Sequence, residues 1–198
     1  AEYAVRVGMK IVEQLRQYGK IVPTTIEDPG SGEFVAELKR LDPYFFLSLG
    51  GPMYTAELLS AVRGIALNQH AGWSPTYRGA HTVLWALYHR DVSGIGAAIH
   101  QTTSGVDAGP IFRRAQACLL PGDDAPTCFA RVVALGTELL CETVHGIMAN
   151  KRQIVGEQPP YQGRTYLARE MDRRTRKWID QDLAGGWLAA ELVRMRRG

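Results

Sequence analysis

The chain is poor in the groups on which many protein chemistries depend. Its three cysteines, Cys118, Cys128 and Cys141, are odd in number and lack CxxC spacing. That excludes a disulfide framework or a thiolate zinc site as the organising device, and a reducing, cytoplasmic setting is the expectation. The sequence shows no long uninterrupted apolar run and no charged-then-apolar leader, so neither a membrane span nor a secretion signal is expected. Charge of one sign is scarce in the balance: 23 Lys and Arg stand against 20 Asp and Glu, a formal net charge of +3. So mild a basic excess suits a small anionic molecule and gives no electrostatic grip on nucleic acid. There is no GxSxG elbow, no HExxH helix and no complete GxGxxG loop. The "GSG" at Gly30–Gly32 reads as a turn whose Ser31 caps a helix.

What is present is an alternation of strands and helices in a chain that is 45% hydrophobic. Residues 3–18 read as an amphipathic helix closed by Gly19, followed by a short strand near Ile21–Val22. A helix to about Arg40 places Phe34, Leu38 and Leu41 on one face. "YFFLSL" (Tyr44–Leu49), closed by Gly50-Gly51-Pro52, reads as a strand buried on both faces of a parallel sheet. Residues 55–62 form a short helix, Gly64–His70 the next buried strand, and "AHTVLWALYHRD" another helix. "IGAAIHQT" and "GPIFRRAQACL" are two further strands separated by the turn "SGVDAGP". A helix over 124–148, capped by Asp124, carries Phe129, Val132, Val133, Leu140, Val144 and Ile147 at steps of three and four, and should cover one sheet face. The pattern predicts an α/β fold: a three-layer, mostly parallel sheet with an antiparallel edge and helices on both faces. Residues 1–163 are expected to form the main unit. Residues 164–198 are expected to be a charge-rich helical extension, a solvated surface anchored by Trp178 and Trp187. His81, His89, His100 and Cys118 match no zinc spacing and read as packing residues, so no metal site is expected.

The stretch "LNQHAGWSPTYRGAHT" (Leu67–Thr82) is the densest in reactive side chains. At the end of a strand, Asn68 and His70 are two residues apart and project to the same face, into the crevice where open α/β sheets bind ligands. Asp107 sits in a Gly-flanked turn downstream, where its carboxylate could orient an imidazole or relay a proton. Taken singly, an Asn-x-His also suits a capped strand end, and an Asp beside Gly is ordinary turn chemistry.

Taken together and in order, Asn68, His70, Pro75, Gly79 and the run Asp107–Pro110 resemble the motifs of the folate-dependent formyltransferase family, over about residues 42–154. The resemblance implies a Rossmann-like domain in which Asn68, His70 and Asp107 are catalytic. Asn68 and a protonated His70 would stabilise the oxyanion formed when an amine attacks the formyl carbon of 10-formyltetrahydrofolate, with Asp107 supporting the imidazolium and moving the amine's proton. No metal and no covalent nucleophile is implied. The pterin would lie against Leu49, Gly50, Gly51 and Met53, and against Thr102 and Gly105. Trp73, Tyr77, Arg78 and Gly79 would approach the acceptor, Arg78 holding an anionic group. The implied acceptor is a small-molecule amine: an amino sugar, an amino acid or peptide precursor, or glycinamide ribonucleotide. A homodimer is compatible; nucleic-acid and membrane partners are not expected, since the tail after Arg164 is short for a tRNA-binding domain. Two departures stand out. The chain opens with a helix where the family begins with a strand, so that strand is expected either to be missing from this sequence or to have diverged, and "GWSP" replaces a "SLLP"-like loop. A hydrolase releasing formate with the same trio, and a non-catalytic folate- or partner-binding module, are the alternative readings.

Overall fold

A computed structural model of the chain describes residues 26–149 and 155–197. The expected helix at 3–18 and strand at Ile21–Val22 lie outside the described residues.

The first described helix, α1 (Gly32–Leu41), starts where expected: Ser31 Oγ accepts from the Phe34 N–H at 3.3 Å. Its buried face is Val35 and Leu38, whereas Leu41, expected on that face, is exposed at the helix end. β1 (Phe45–Leu49) leads through α2 (Ala56–Ser60) to β2 (Ile65–His70), which pairs with β1 in parallel from Phe45↔Ile65 to Leu49↔Gln69. β3 (Tyr77–Gly79) and α3 (Thr82–Tyr88) follow. β4 (Gly96–Gln101) then runs antiparallel to β2, and β5 (Ile111–Gln116) antiparallel to β4. The long α4 (Ala125–Ala149), β6 (Arg164–Tyr166), α5 (Arg173–Ala184) and α6 (Trp187–Arg197) complete the fold. The main sheet has the order β1-β2-β4-β5, and β3 and β6 form a separate parallel pair. The α/β architecture is thus a mixed sheet whose antiparallel part extends through β2, β4 and β5.

β1 differs from its sequence reading. Leu47 and Leu49 are exposed and only Ser48 is buried. Among the described strands β1 lies at the sheet edge, so its apolar run is not covered on both sides.

Strand alternation divides β2 and β4 between two faces. Leu67 and Ile99 belong to one apolar cluster that α4 covers with Ile147 and its neighbours Leu139, Leu140 and Val144. Gln69 is tied to the same helix, donating from Nε2 to the Val133 carbonyl at 2.9 Å. Glycine at 136 permits this approach, since a Cβ there would stand 2.5 Å from Gln69 Nε2. The buried stripe of α4 is Cys128, Val132, Gly136, Thr143 and Ile147, and Phe129 is exposed. The small residues let the helix lie close to the sheet, which turns its largest side chain outward. α4 is also long and apolar enough to cross a membrane, with mean hydropathy 1.3 in its most apolar window. This corrects the expectation that no such run exists, although the helix is docked along the sheet.

A second cluster joins Val83, Trp85 and Leu87 of α3 and Ala97 of β4 to Tyr166, Met171, Ile179 and Leu188. Residues beyond 164 therefore share a core with the sheet. Ile179 and Leu188, each 1% exposed, anchor them; Trp178 is exposed and Trp187 half-buried. Arg90 and Asp182 add an ion pair across the two segments, with Nε 2.9 Å from Oδ2.

Candidate active site

The other face of β2 and β4 carries polar groups in register. Ser48, Asn68 and His100 are cross-strand partners on β1, β2 and β4, a row across three strands. Asn68 Oδ1 accepts from Ser48 Oγ at 2.9 Å, which fixes the amide the other way round at its nitrogen. Asn68 Nδ2 then lies 3.2 Å from His100 Nε2 and 3.5 Å from Asp107 Oδ1.

His70, two residues on, is 5% exposed. Its Nε2 stands 2.8 Å from the Tyr77 carbonyl and so carries a proton there, while Nδ1 faces Asp107 Oδ2 at 3.3 Å. His100 repeats the arrangement: Nδ1 points to the Gln101 carbonyl at 2.9 Å and Nε2 to Asp107 Oδ1 at 3.2 Å. Each oxygen of Asp107 therefore meets one imidazole. Oδ2 also accepts the Gly79 N–H at 2.7 Å, and Asp107 itself is held in the left-handed region at φ 43°.

Burial alone would push the Asp107 carboxyl up. Hydrogen bonding with His100, the charge that His70 takes up in acid and the Gly79 N–H outweigh it and hold the group at about 2. Burial pushes the His70 imidazole down from its ordinary value, and the Asp107 carboxylate offsets this only in part. The protonated His70 expected from sequence is thus not the favoured resting form. A neutral ring donates to Tyr77 and turns a lone pair toward a carboxylate, a pair of groups that gains by sharing one incoming proton.

Both shifts have an acid-side consequence. A lowered carboxyl contributes stability above its unfolded value, near 4, that disappears as pH falls toward 2. A lowered imidazole costs stability once pH drops below the unfolded value of 6.5. Urea midpoints should therefore fall steadily from pH 7 toward pH 3, the Asp107 share lost being roughly 1 kcal/mol by pH 3 and roughly 2 kcal/mol once pH is below 2. An Asp107→Asn variant whose midpoints fall just as steeply below pH 4 would contradict that share.

Asp107 is positioned by a neighbour that sequence assigned elsewhere. Arg78 donates from Nε and Nη2 to the Val106 carbonyl at 3.0 and 2.6 Å, and from Nη1 to the Gly163 carbonyl at 3.3 Å. Its guanidinium is engaged with backbone, not held out for an anion. Arg78→Lys cannot keep the planar fork. Under the activity that the sequence resemblance implies, it should lower kcat by roughly tenfold with tetrahydrofolate affinity unchanged, and steady-state kinetics beside a binding titration would show the split.

A cavity of about 980 Å³ opens on this row of polar groups. Leu49, Gly50, Gly51, Met53, Thr102 and Gly105, the expected pterin contacts, all line it, as do Asn68, His70, Gly79 and Asp107. Gly50 sits at φ +62° with open space where a Cβ would be, and Thr102 Oγ1 is buried without a hydrogen-bond partner among the described residues. Of the four expected acceptor residues only Gly79 reaches the cavity. Tyr77 is buried in the core, its hydroxyl on Asp91 at 2.9 Å and its ring stacked on Tyr166. Trp73 lies under the Arg114 guanidinium at 4.7 Å. Sequence reading missed His100, and residues of α5 also reach the cavity wall. No local signal points to His100; it is the antiparallel pairing of β2 with β4, separated in the chain by β3 and α3, that sets it opposite Asn68. Among the described residues no group of three His, Cys, Asp or Glu side chains has metal-holding geometry.

The sequence model of the formyl transferase family matches residues 27–144. The methionyl-tRNA formyltransferase of Thermodesulfovibrio yellowstonii is 31% identical over 126 residues, which is 61% of this chain and 40% of that protein. The chain thus spans about two fifths of the length of that relative. Among solved structures, a formyltransferase from Anoxybacillus kamchatkensis superposes with TM-score 0.63 at 20% identity, covering 79% of each chain. That protein was solved with UDP-4,6-dideoxy-4-formamido-L-AltNAc and tetrahydrofolate. A 4-N formyltransferase from Francisella tularensis has TM-score 0.62 at 18% identity, covering 86% of this chain and 70% of that one. The match of the family model across more than half of the residues, together with this shared fold, assigns the chain to the formyl transferase family.

Proposed function

We propose that the protein transfers a formyl group from 10-formyltetrahydrofolate to a primary amine on a small-molecule acceptor. One observation carries the reading: Asn68, His70, His100 and Asp107 converge on one wall of a cavity whose other wall is the glycine turn after β1. That turn suits a flat heterocycle, and the unpartnered Thr102 hydroxyl suits a ring with its own donors and acceptors. When bound, the co-substrate supplies an electrophilic formyl carbon.

The chain's residues divide the remaining work. Asn68 Nδ2 donates toward the carbonyl oxygen as charge develops on it, and a pre-set donor of this kind contributes roughly a hundred- to a thousandfold in rate. The His70–Asp107 pair starts as neutral imidazole and carboxylate, takes the proton that the attacking amine loses, and returns one to the folate nitrogen as its bond to the formyl carbon breaks. One C–N bond forms, one breaks, and one proton moves between the two nitrogens. His100 holds the second oxygen of Asp107, so that the other oxygen stays with His70.

The amine is read as belonging to a small molecule, an amino sugar being favoured by the nucleotide-sugar product bound in the similar Anoxybacillus protein. Asn68→Ala should cost roughly a hundred- to a thousandfold in turnover while tetrahydrofolate binding and the circular dichroism spectrum are retained. A panel of amines with a no-amine control decides the class. Formate release without any amine would make the protein a hydrolase, and full activity in Asn68→Ala would remove the mechanism.

A further inference from the structure

The family model ends at residue 144, yet the cavity has a wall that comes from beyond it: Arg176, Ile179 and Asp180 of α5 line the same space as Asn68 and Asp107. The expectation that this tail is only a solvated surface is corrected here. Arg176 is the one Lys or Arg among the described residues lining the cavity. No carboxylate lies within ion-pair distance of it among the described residues. Its Nη2 lies instead 3.3 Å from His81 Nε2 and 3.5 Å from His81 Nδ1, a cation set against a ring that can itself become a cation. Asp180, one helical turn on, forms no ion pair with it among the described residues.

His81 is unusual in its own right. It holds φ 57° in the left-handed region, a conformation that non-glycine residues adopt when the surroundings require it. Burial, then the Arg176 charge, push its imidazole down from the ordinary value. Two groups of like potential charge, held together at a cavity mouth without a counterion, are stabilised by an anion placed between them.

We propose that His81 and Arg176 form an anion subsite that docks a phosphate or carboxylate of one of the two substrates, beside the reaction centre. This rests on the formyl-transfer reading for the identity of those substrates. The anion belongs either to the acceptor or to the glutamate tail of the folate, and Asp180 is placed to accept hydrogen bonds from hydroxyl or amino groups next to it. The subsite explains why a helix outside the matched region borders the cavity.

The test uses the full chain and two probes by calorimetry. Inorganic pyrophosphate is titrated in the presence of saturating monoglutamyl 5-formyltetrahydrofolate, and, separately, mono- and pentaglutamyl 5-formyltetrahydrofolate are compared. Saturable pyrophosphate binding that weakens roughly tenfold or more in Arg176→Gln and His81→Asn, and recovers in part in Arg176→Lys, assigns the subsite to the acceptor. A preference for pentaglutamate that vanishes in Arg176→Gln assigns it to the folate. Either result supports the proposal. If both probes bind Arg176→Gln within about twofold of the wild type, with the variant folded by circular dichroism, the subsite does not exist. Failure of the wild type to bind the monoglutamyl folate would instead strike the formyl-transfer reading, and pyrophosphate titrated alone would still decide the subsite.

Discussion

Asp107→Asn is expected to lower kcat for formyl transfer by roughly a thousandfold while tetrahydrofolate affinity stays within about threefold. The substitution preserves shape and removes charge. An amide carries no charge and cannot take up the shared proton, so the His70 imidazole loses the partner that would support it when it becomes charged. The pH profile gives an independent readout. Turnover through the wild-type pair needs Asp107 ionised and His70 neutral, so the rate falls as acid protonates His70, below the ordinary value of 6.5 because burial lowers that group. The Asp107 charge favours the imidazolium, so its removal should move the residual acid limb of the variant to still lower pH. An Asp107→Asn enzyme within tenfold of wild type, or with its acid limb at higher pH, would remove Asp107 from the proton path.

Gly79→Ala is expected to be the most damaging single methyl group that can be added near the site. Gly79 lies at φ +88°, and a Cβ there would stand 2.2 Å from the Tyr166 carbonyl oxygen. Its N–H is the donor to Asp107 Oδ2. Alanine therefore meets a strained backbone, a backbone clash across the β3–β6 pair, and a shift of the bond that helps ionise Asp107. The loss should be about 3 kcal/mol or more in urea unfolding, with activity lost further than the unfolded fraction explains. A loss under about 1 kcal/mol would show that β6 yields easily.

The two site elements were legible in sequence for different reasons. Asn68 and His70 were readable because a spacing of two on a strand settles a shared face, and the structure places both on the cavity. Asp107 was readable from its glycine-flanked turn. His100 looked like packing because a lone histidine in "IGAAIHQT" says nothing of its partner; only the β2–β4 register puts it opposite Asn68. Tyr77 and Arg78 follow the motif closely in sequence, but pairing with β6 commits the first to the core and the second to the Val106 and Gly163 carbonyls. Such pairings join residues far apart in the chain, and local patterns do not encode them. The same holds for α4, whose apolar periodicity was clear while its docked stripe was set by where Gly136 and Thr143 allow close approach.

The β3–β6 pair also sets an order in time. Arg78 reaches a carbonyl 85 residues ahead of it, and Tyr77, whose carbonyl accepts the His70 Nε2–H, stacks its ring on Tyr166. As the chain leaves the ribosome, β2, β4 and the Asp107 turn are complete long before their buttress has been synthesised. A nascent chain arrested before Tyr166 would carry every residue of the proposed trio and still lack the strand that pairs with β3.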